Sequence, residues 1–554
     1  MEYGYTSLLP PLLAIVLALL TRHVLLPLAA GILLGAGLLA WGTPESGLVL
    51  TTCAIFVRSI WDSVWDGDHL RVLVFTLLLG MMVGVIEVSG AMKRTIARLA
   101  SRVRDRRGAQ GMIAATGLAV FFDDYANTLL VGGTMRSTSD RFGLSRAKLA
   151  YLVDSTAAPV AGLALVSTWV ATELSYLQAG IDASVYSANN GEASIAVFDF
   201  FLQSIPYRFY PWFALFLVFV IARTGRDFGP MHAAEQAALK DAAKEQHGHL
   251  EDAARAPDPK TRWSDMGAAF SPVLVCLAAV LATLIYTGMA SLSEGDVSAA
   301  VAVQEASGAT DGAVGWLRRA GDVIGSGDSY LALMVGGGAG LATALLFAFV
   351  GTGVSKTQVF RGVGSGAAQM MPAMFVLWLA WALSAMTGKE ALDTGGFLAS
   401  VLTDAIDIRI LPTCVFLLAG VIAFSTGTSW GTMAIVTPIA VSLVLDMQAN
   451  SNLASDVVNS PLALATFSGV LAGAIFGDHC SPISDTTVLS SRACDCDHVL
   501  HVRTQMPYAL LAGGVCVVTG TLPVAFGVPV WLCLAAGTGC LIAAVRWLGK
   551  QPAA

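Results

Sequence analysis

Apolar runs of roughly 17 to 25 residues, the length that crosses the hydrocarbon of a bilayer, recur between positions 8 and 545. Most charged residues fall in the stretches between them, which predicts an all-α polytopic membrane protein. Two runs do not read as simple crossings. Residues 108–134 are preceded by Arg102, Arg104, Arg106 and Arg107 and followed by Arg136, Arg141, Arg146 and Lys148. Bases mark the cytoplasmic side, so both ends of this run belong there. A single crossing cannot satisfy that, whereas a re-entrant helical hairpin with its tip near Asp123 and Asp124 can, provided that protein or water surrounds the irregular backbone. Residues 413–445 form the counterpart. Their flanks carry Asp404, Asp407 and Asp446 with Arg409 as the one base, so this hairpin reads as entering from the other side. Its tip, 425–432, holds five hydroxyl residues in eight, with two glycines that interrupt the helix.

Each hairpin is followed by a run that holds an aspartate a few residues before a proline: Asp154-Ser-Thr-Ala-Ala-Pro159 within 149–172, and Asp478-His-Cys-Ser-Pro482 within 461–491. Proline removes a backbone donor, so both runs read as broken helices whose half-helix ends meet at mid-membrane. Flanking charge sends the first outward and the second inward. The expected architecture is two inverted repeats, each with crossing helices, a re-entrant hairpin and a broken helix. Residues 1–23 form an N-terminal helix region, 24–222 repeat one, 223–265 a cytoplasmic linker, 266–526 repeat two, and 527–554 a C-terminal helix and tail. Two longer outer loops fall near 176–201 and 291–328.

Composition narrows the function. With 55% apolar and 13% charged residues and a mean hydropathy of +0.68, nothing remains for a soluble catalytic domain. The net charge of −7 is spread over the loops without a basic block, which argues against nucleic acid as a partner. The first basic residue, Arg22, follows the first apolar run, so the N-terminus reads as retained. The nine cysteines lack the spacing of a disulfide framework, and Cys494, Cys496 and His498 sit too close together for a standard zinc module. No cofactor is indicated.

Five carboxylates fall at membrane depth: Asp123, Asp124, Asp154, Asp478 and Asp485. Placing a charge there costs about 2.5 to 3.5 kcal/mol even on lenient scales, so such residues point to function. No Lys or Arg occurs between Arg107 and Arg136, between Lys148 and Arg208, or between Arg409 and Arg492. A buried carboxylate without a cationic neighbour holds a proton or coordinates a cation, and alternation between the two is exchange. Asp123 and Asp124 are adjacent and cannot both face one pathway; capping of a hairpin tip is the alternative role. Hard cations such as Na+ take oxygen ligands. Candidates are Asn127, Thr128, Ser155, Thr156, Ser425, Thr426, Thr428, Ser429, Ser481, Ser484, Thr486 and Thr487, all close to the breaks, with Na+ expected at Asp154, Asp478 and neighbouring hydroxyls. Trp378 and Trp381 read as packing or gating aromatics, and His479 as a proton sensor or a packing residue.

The stretch Gly477-Asp-His-Cys-Ser-Pro-Ile-Ser-Asp-Thr-Thr487 closely resembles the signature of the NhaC-type Na+/H+ antiporters, within the wider ion-transporter superfamily of inverted-repeat carriers. Phe121-Phe-Asp-Asp-Tyr-Ala-Asn-Thr128, Val153-Asp-Ser-Thr-Ala-Ala-Pro159 and Ser167-Thr-Trp169 look like the first-half counterpart in one branch of that family. The resemblance implies a secondary transporter, not an enzyme, that exchanges a small cation for protons across a bacterial inner membrane. It also implies a homodimer surrounded by lipid, in which a substrate-bearing domain moves against a scaffold. Similar carriers exchange organic acids, so a Na+- or H+-coupled carrier of a small organic acid or amino acid is the competing reading. An intramembrane aspartyl protease needs Gly-x-Gly-Asp, and Ile475-Phe-Gly-Asp478 puts isoleucine where the first glycine belongs.

Overall fold

In the computed structural model of the chain, the structure describes residues 3–21, 23, 25–41, 47–184, 186, 197–245, 263–294, 323, 327–350, 354–388, 390–394, 397, 407–451, 457–458, 460–482 and 484–552. Nearly all of these are helical, and the one β pairing among them is the bridge between Asp227 and Lys550. Among the described residues, ten helices are long and apolar enough to cross a membrane, so the chain is a multi-pass membrane protein. Large parts of the expected linker and of both outer loops lie outside the described residues.

Six helices form one packed group: Leu25–Trp41, Leu48–Trp65, Gly67–Ser89, Trp263–Glu294, Ser329–Val350 and Lys356–Thr387. Small residues let their backbones approach, as is common between helices in lipid. Gly80 and Gly84 meet Gly362 and Gly366, so closely that a Cβ on Gly84 would lie 2.2 Å from the Gly362 carbonyl oxygen.

Against this group sits the part built from hairpins and breaks. The first hairpin pairs Arg106–Ala119 with Asp124–Arg141. The first broken segment is Arg146–Ala161 followed, after an irregular stretch, by Val170–Asp182. The second hairpin pairs Leu411–Thr426 with Ser429–Ser451, and the second broken segment is Pro461–Cys480 followed by Asp485–Ala493. The helices Phe209–Thr224 and His498–Val515 pack against both broken segments. Helix starts are specified locally: Asp105, Ser145, Ser460, Ser484 and Asp497 each accept a backbone N–H of the first turn. Gly427 takes φ +70°, a left-handed conformation that turns the second hairpin at no steric cost.

Two details depart from the sequence reading. The first broken helix does not stop at Pro159 but continues to Ala161, with the irregular stretch at 162–169. A proline removes only one helical hydrogen bond, and here tertiary packing carries the helix past it. In the second half the break does coincide with Pro482. The hairpins also differ in length. The shorter arm of the first, at 14 residues, spans about 21 Å, too little to cross. Each arm of the second is long enough to cross on length and composition alone.

Candidate functional site

Each hairpin tip is fastened to the break of its own half by a main-chain hydrogen bond. Thr168 N donates to Phe122 O at 3.0 Å, and Asp485 N donates to Gly427 O at 3.2 Å. The halves then cross over. The indoles of Trp169, from the first break, and Trp430, from the second hairpin tip, meet edge to face with centroids 5.5 Å apart. Tyr125, at the first hairpin tip, donates its hydroxyl to Asp485 of the second break at 2.6 Å. Two tips and two breaks therefore form one junction; Asp123, Asp124, Asp154 and Asp478 are buried around it, and Asp485 lies at its exposed edge.

Their surroundings separate them. Asp123 is the N-cap of Asp124–Arg141: one oxygen accepts from Ala126 N at 2.7 Å and the other has no hydrogen-bond partner. Asp124 accepts no hydrogen bond on either oxygen. Asp154 does not turn toward the first hairpin tip. Its Oδ2 accepts from Gln505 at 2.6 Å and from Thr487 at 3.2 Å, and lies 3.4 Å from His501 Nε2, all in the second half of the chain. Asp478 Oδ2 accepts from Thr486 at 2.5 Å, and the Asp478 carbonyl faces the Thr487 hydroxyl at 3.4 Å. Thr487 thus bridges Asp154 and Asp478. Asp478 and Asp485 flank the second break, as the motif predicts.

The expected hydroxyl and amide ligands divide in the same way. Thr486, Thr487 and Ser484 converge on the Asp154 and Asp478 carboxylates, Ser484 through Thr486 at 3.1 Å. Ser429 lies within 3.4 Å of the Ala474 carbonyl in the second broken helix. Ser155 lines a small cavity beside His479 and Gln505. Others hold backbone instead. Asn127 donates to Gly117 O, Val120 O and Thr156 O, tying the first hairpin to the first broken helix. Ser481 donates to Phe424 O at 2.7 Å, and the Thr428 hydroxyl faces Gly431 N. Thr128, Thr156 and Thr426 turn back onto carbonyls of their own helices. Ser425 is half-buried on the arm leading to the tip.

Several participants escaped the sequence reading. His501 and Gln505 sit four residues apart on an apolar helix, and that pairing on one face was the available signal. Glu173, just beyond the first break, is buried with Arg208, which lies 2.8 Å away and also donates to the Gly162 carbonyl. Lys148, read from sequence as a loop marker, is wholly buried against Asp227. Lys148 and Arg208 are thus each paired with an acid, Arg208 at the edge of the first break. Of the aromatics singled out, Trp381 donates to Ser175 and stacks on His69, while Trp378 donates to Ile60 O, so both pack. Cys494 is buried, and His498 binds Ser491 and Pro482 O.

Chemically, the junction holds unpartnered acceptors together with a few unpartnered donors, the indole N–H groups of Trp169 and Trp430 and the Thr168 hydroxyl. Buried oxygens of Asp123, Asp124, Asn127, Asp154, Asp478 and Gln505 remain without a hydrogen-bond partner. Groups of this kind are stabilised by a proton or by a small cation. Among the described residues, no three His, Cys, Asp or Glu side chains converge as a metal centre, so a bound cation would also need hydroxyl and carbonyl oxygens.

Comparison with known proteins bears on this arrangement. A model of the Na+/H+ antiporter family matches residues 160–318 and 320–522. An uncharacterized protein of Haemophilus influenzae is 33% identical over 510 residues, covering 91% of this chain and 88% of that one. An uncharacterized Na+/H+ antiporter of the same organism is 33% identical over 120 residues, 21% of this chain and 23% of that protein. Among solved structures, the YdaH transporter of Alcanivorax borkumensis aligns with a TM-score of 0.50 at 16% identity, over 84% of this chain and 91% of that one, a likeness of fold.

Proposed function

The chain belongs to the Na+/H+ antiporter family, a family of secondary transporters, and from that premise we propose that it exchanges Na+, or another monovalent cation, for protons at the junction of hairpins and breaks. The observation that carries this reading is a set of buried carboxylates with unpartnered oxygens and, among the described residues, no Lys or Arg paired with them. Asp154 and Asp478, bridged by Thr487, form the centre, and Thr486 and Ser484 complete an oxygen-rich wall. Asp124 and Asp485 lie at the meeting of the first tip with the second break and belong to the same exchange. A cation neutralises this cluster when the carboxylates are ionised, and protons neutralise it when the cation leaves. Either occupant excludes the other, which is the logic of antiport. An organic anion would instead call for a free guanidinium or ammonium, and the buried Lys148 and Arg208 are both engaged by acids. The setting we propose is a bacterial inner membrane, with 24–222 and 266–526 as inverted repeats and a second copy as partner.

Reconstitution into vesicles tests the reading. Addition of Na+, Li+ or K+ should drive proton movement, and a panel of organic acids and amino acids should not. Because cation and proton compete for the same oxygens, Na+ affinity measured by calorimetry should weaken as pH falls, by up to about tenfold per pH unit for each carboxylate that must deprotonate. Na+ binding that is independent of pH would refute the shared site.

A further inference from the structure

Beyond the junction, a column of polar side chains leads toward the face that carries Arg106 and Arg146. Lys148, Tyr151 and Ser155 lie on one side of the first broken helix, at positions i, i+3 and i+7. Lys148 and Asp227 are wholly buried and paired with each other. Asp227 also accepts the Tyr508 hydroxyl at 2.9 Å, while that hydroxyl accepts Phe228 N at 3.2 Å. The Tyr508 ring is held between Phe228, at 4.2 Å, and Tyr151, at 4.7 Å. Above it lies a cavity of about 10 Å³, the room of one water molecule, lined in part by Tyr151, Ser155, Tyr210, His479, Gln505 and Tyr508. Gln505 forms its far wall. Its amide donates to Asp154, and its Oε1 has no partner.

An apolar interior needs none of this, and Phe at 151 and 508 would fill the same space. We propose that this column is the route by which protons pass between Asp154 and the basic face, with Tyr508 as a relay and Asp227 as the exit acceptor. The proposal rests on the antiport reading above. When a cation displaces the proton of Asp154, the O–H bond there breaks, and a turn of the Gln505 amide opens the carboxylate to the cavity water. That water takes the proton and gives one of its own to Tyr508 as Tyr508 gives its phenolic proton to Asp227. Asp227 is itself buried, so its proton leaves to water at the basic face only when that end of the column opens during the cycle. Each hop breaks one O–H bond and forms another, and no charge is left on Tyr508. The Lys148 ammonium fixes the Asp227 carboxylate against the relay.

The discriminating experiment compares two fluxes in the same vesicles. Exchange of labelled Na+ for Na+ requires no proton to move, whereas Na+/H+ exchange requires one in every cycle. Tyr508→Phe keeps the ring and both stacking contacts while removing the hydroxyl. It should slow Na+/H+ exchange by about tenfold or more, with Na+/Na+ exchange and Na+ affinity unchanged. Asp227→Asn should show the same split. If both fluxes fall together the column is structural, and if neither falls protons take another path; either result overturns the proposal. Absence of any Na+-driven flux in the unmodified protein would instead overturn the antiport reading on which it rests.

Discussion

The two halves use the same succession of elements but place their acids differently. The first half carries two at the hairpin tip, Asp123 and Asp124, and one in the broken helix, Asp154. The second carries none at its tip, which is built from hydroxyls, and two across the break, Asp478 and Asp485. The acids nonetheless meet, because the halves cross over: Tyr125 of the first tip reaches Asp485, and Asp154 reaches Thr487 and Gln505. The lesson is that equivalence between the halves lies in backbone shape, while charge is assigned once to the junction as a whole.

The strongest way to break this comparison is to remove one charge from each half. Asp154→Asn and Asp478→Asn keep shape and most hydrogen bonds, and each should abolish coupled exchange in a folded, inserted protein. Full exchange in both variants, measured as Na+-driven proton flux, would make these residues structural. Within the first tip, Asp124→Asn should cut exchange severely, because its carboxylate makes no structural hydrogen bond. Asp123→Asn should leave much of the exchange intact and cost at most about 1 kcal/mol of stability through the weakened cap, read as a small drop in Tm.

Packing offers a milder test. A Cβ on Gly473 would lie 2.2 Å from the Phe416 backbone carbonyl, whereas on Gly117 it would lie 2.1 Å from the Thr156 hydroxyl, a side-chain atom. The Thr156 Cβ would also lie only 2.6 Å away, and a Cβ moves only with its backbone, so neither neighbour can step aside. Gly473→Ala and Gly117→Ala should therefore each destabilise by roughly 1 to 3 kcal/mol, which thermal unfolding in detergent would check. Smaller still is Ser429→Ala, which should weaken Na+ affinity slightly without stopping turnover. Thr128→Ala should change neither, since that hydroxyl is spent on the Asp124 carbonyl.

Much of this was legible in the chain itself. Charge on both flanks of 108–134 exposed the first hairpin, and hydroxyls clustered around Gly427 marked the second tip. What escaped was whatever depends on side chains from distant segments. Asp154 could be recognised as a membrane-depth acid, yet nothing local says that its partners are Thr487, His501 and Gln505. The extension of the first helix past Pro159 was equally hidden, because tertiary packing overrode a local breaker. Lys148 seemed an ordinary loop base, and Arg208 only the end of a stretch without bases, until the fold buried each against an acid.

The main-chain bonds at the two tips, Thr168 N to Phe122 O and Asp485 N to Gly427 O, are blind to side chains. A lineage can therefore rewrite the residues that face the transported ion without unfastening the frame that holds them. Change of cargo should therefore proceed by exchange of acids, hydroxyls and amides at the tips, while an insertion or deletion in 120–124, 162–169, 425–429 or 481–485 should unfasten the frame.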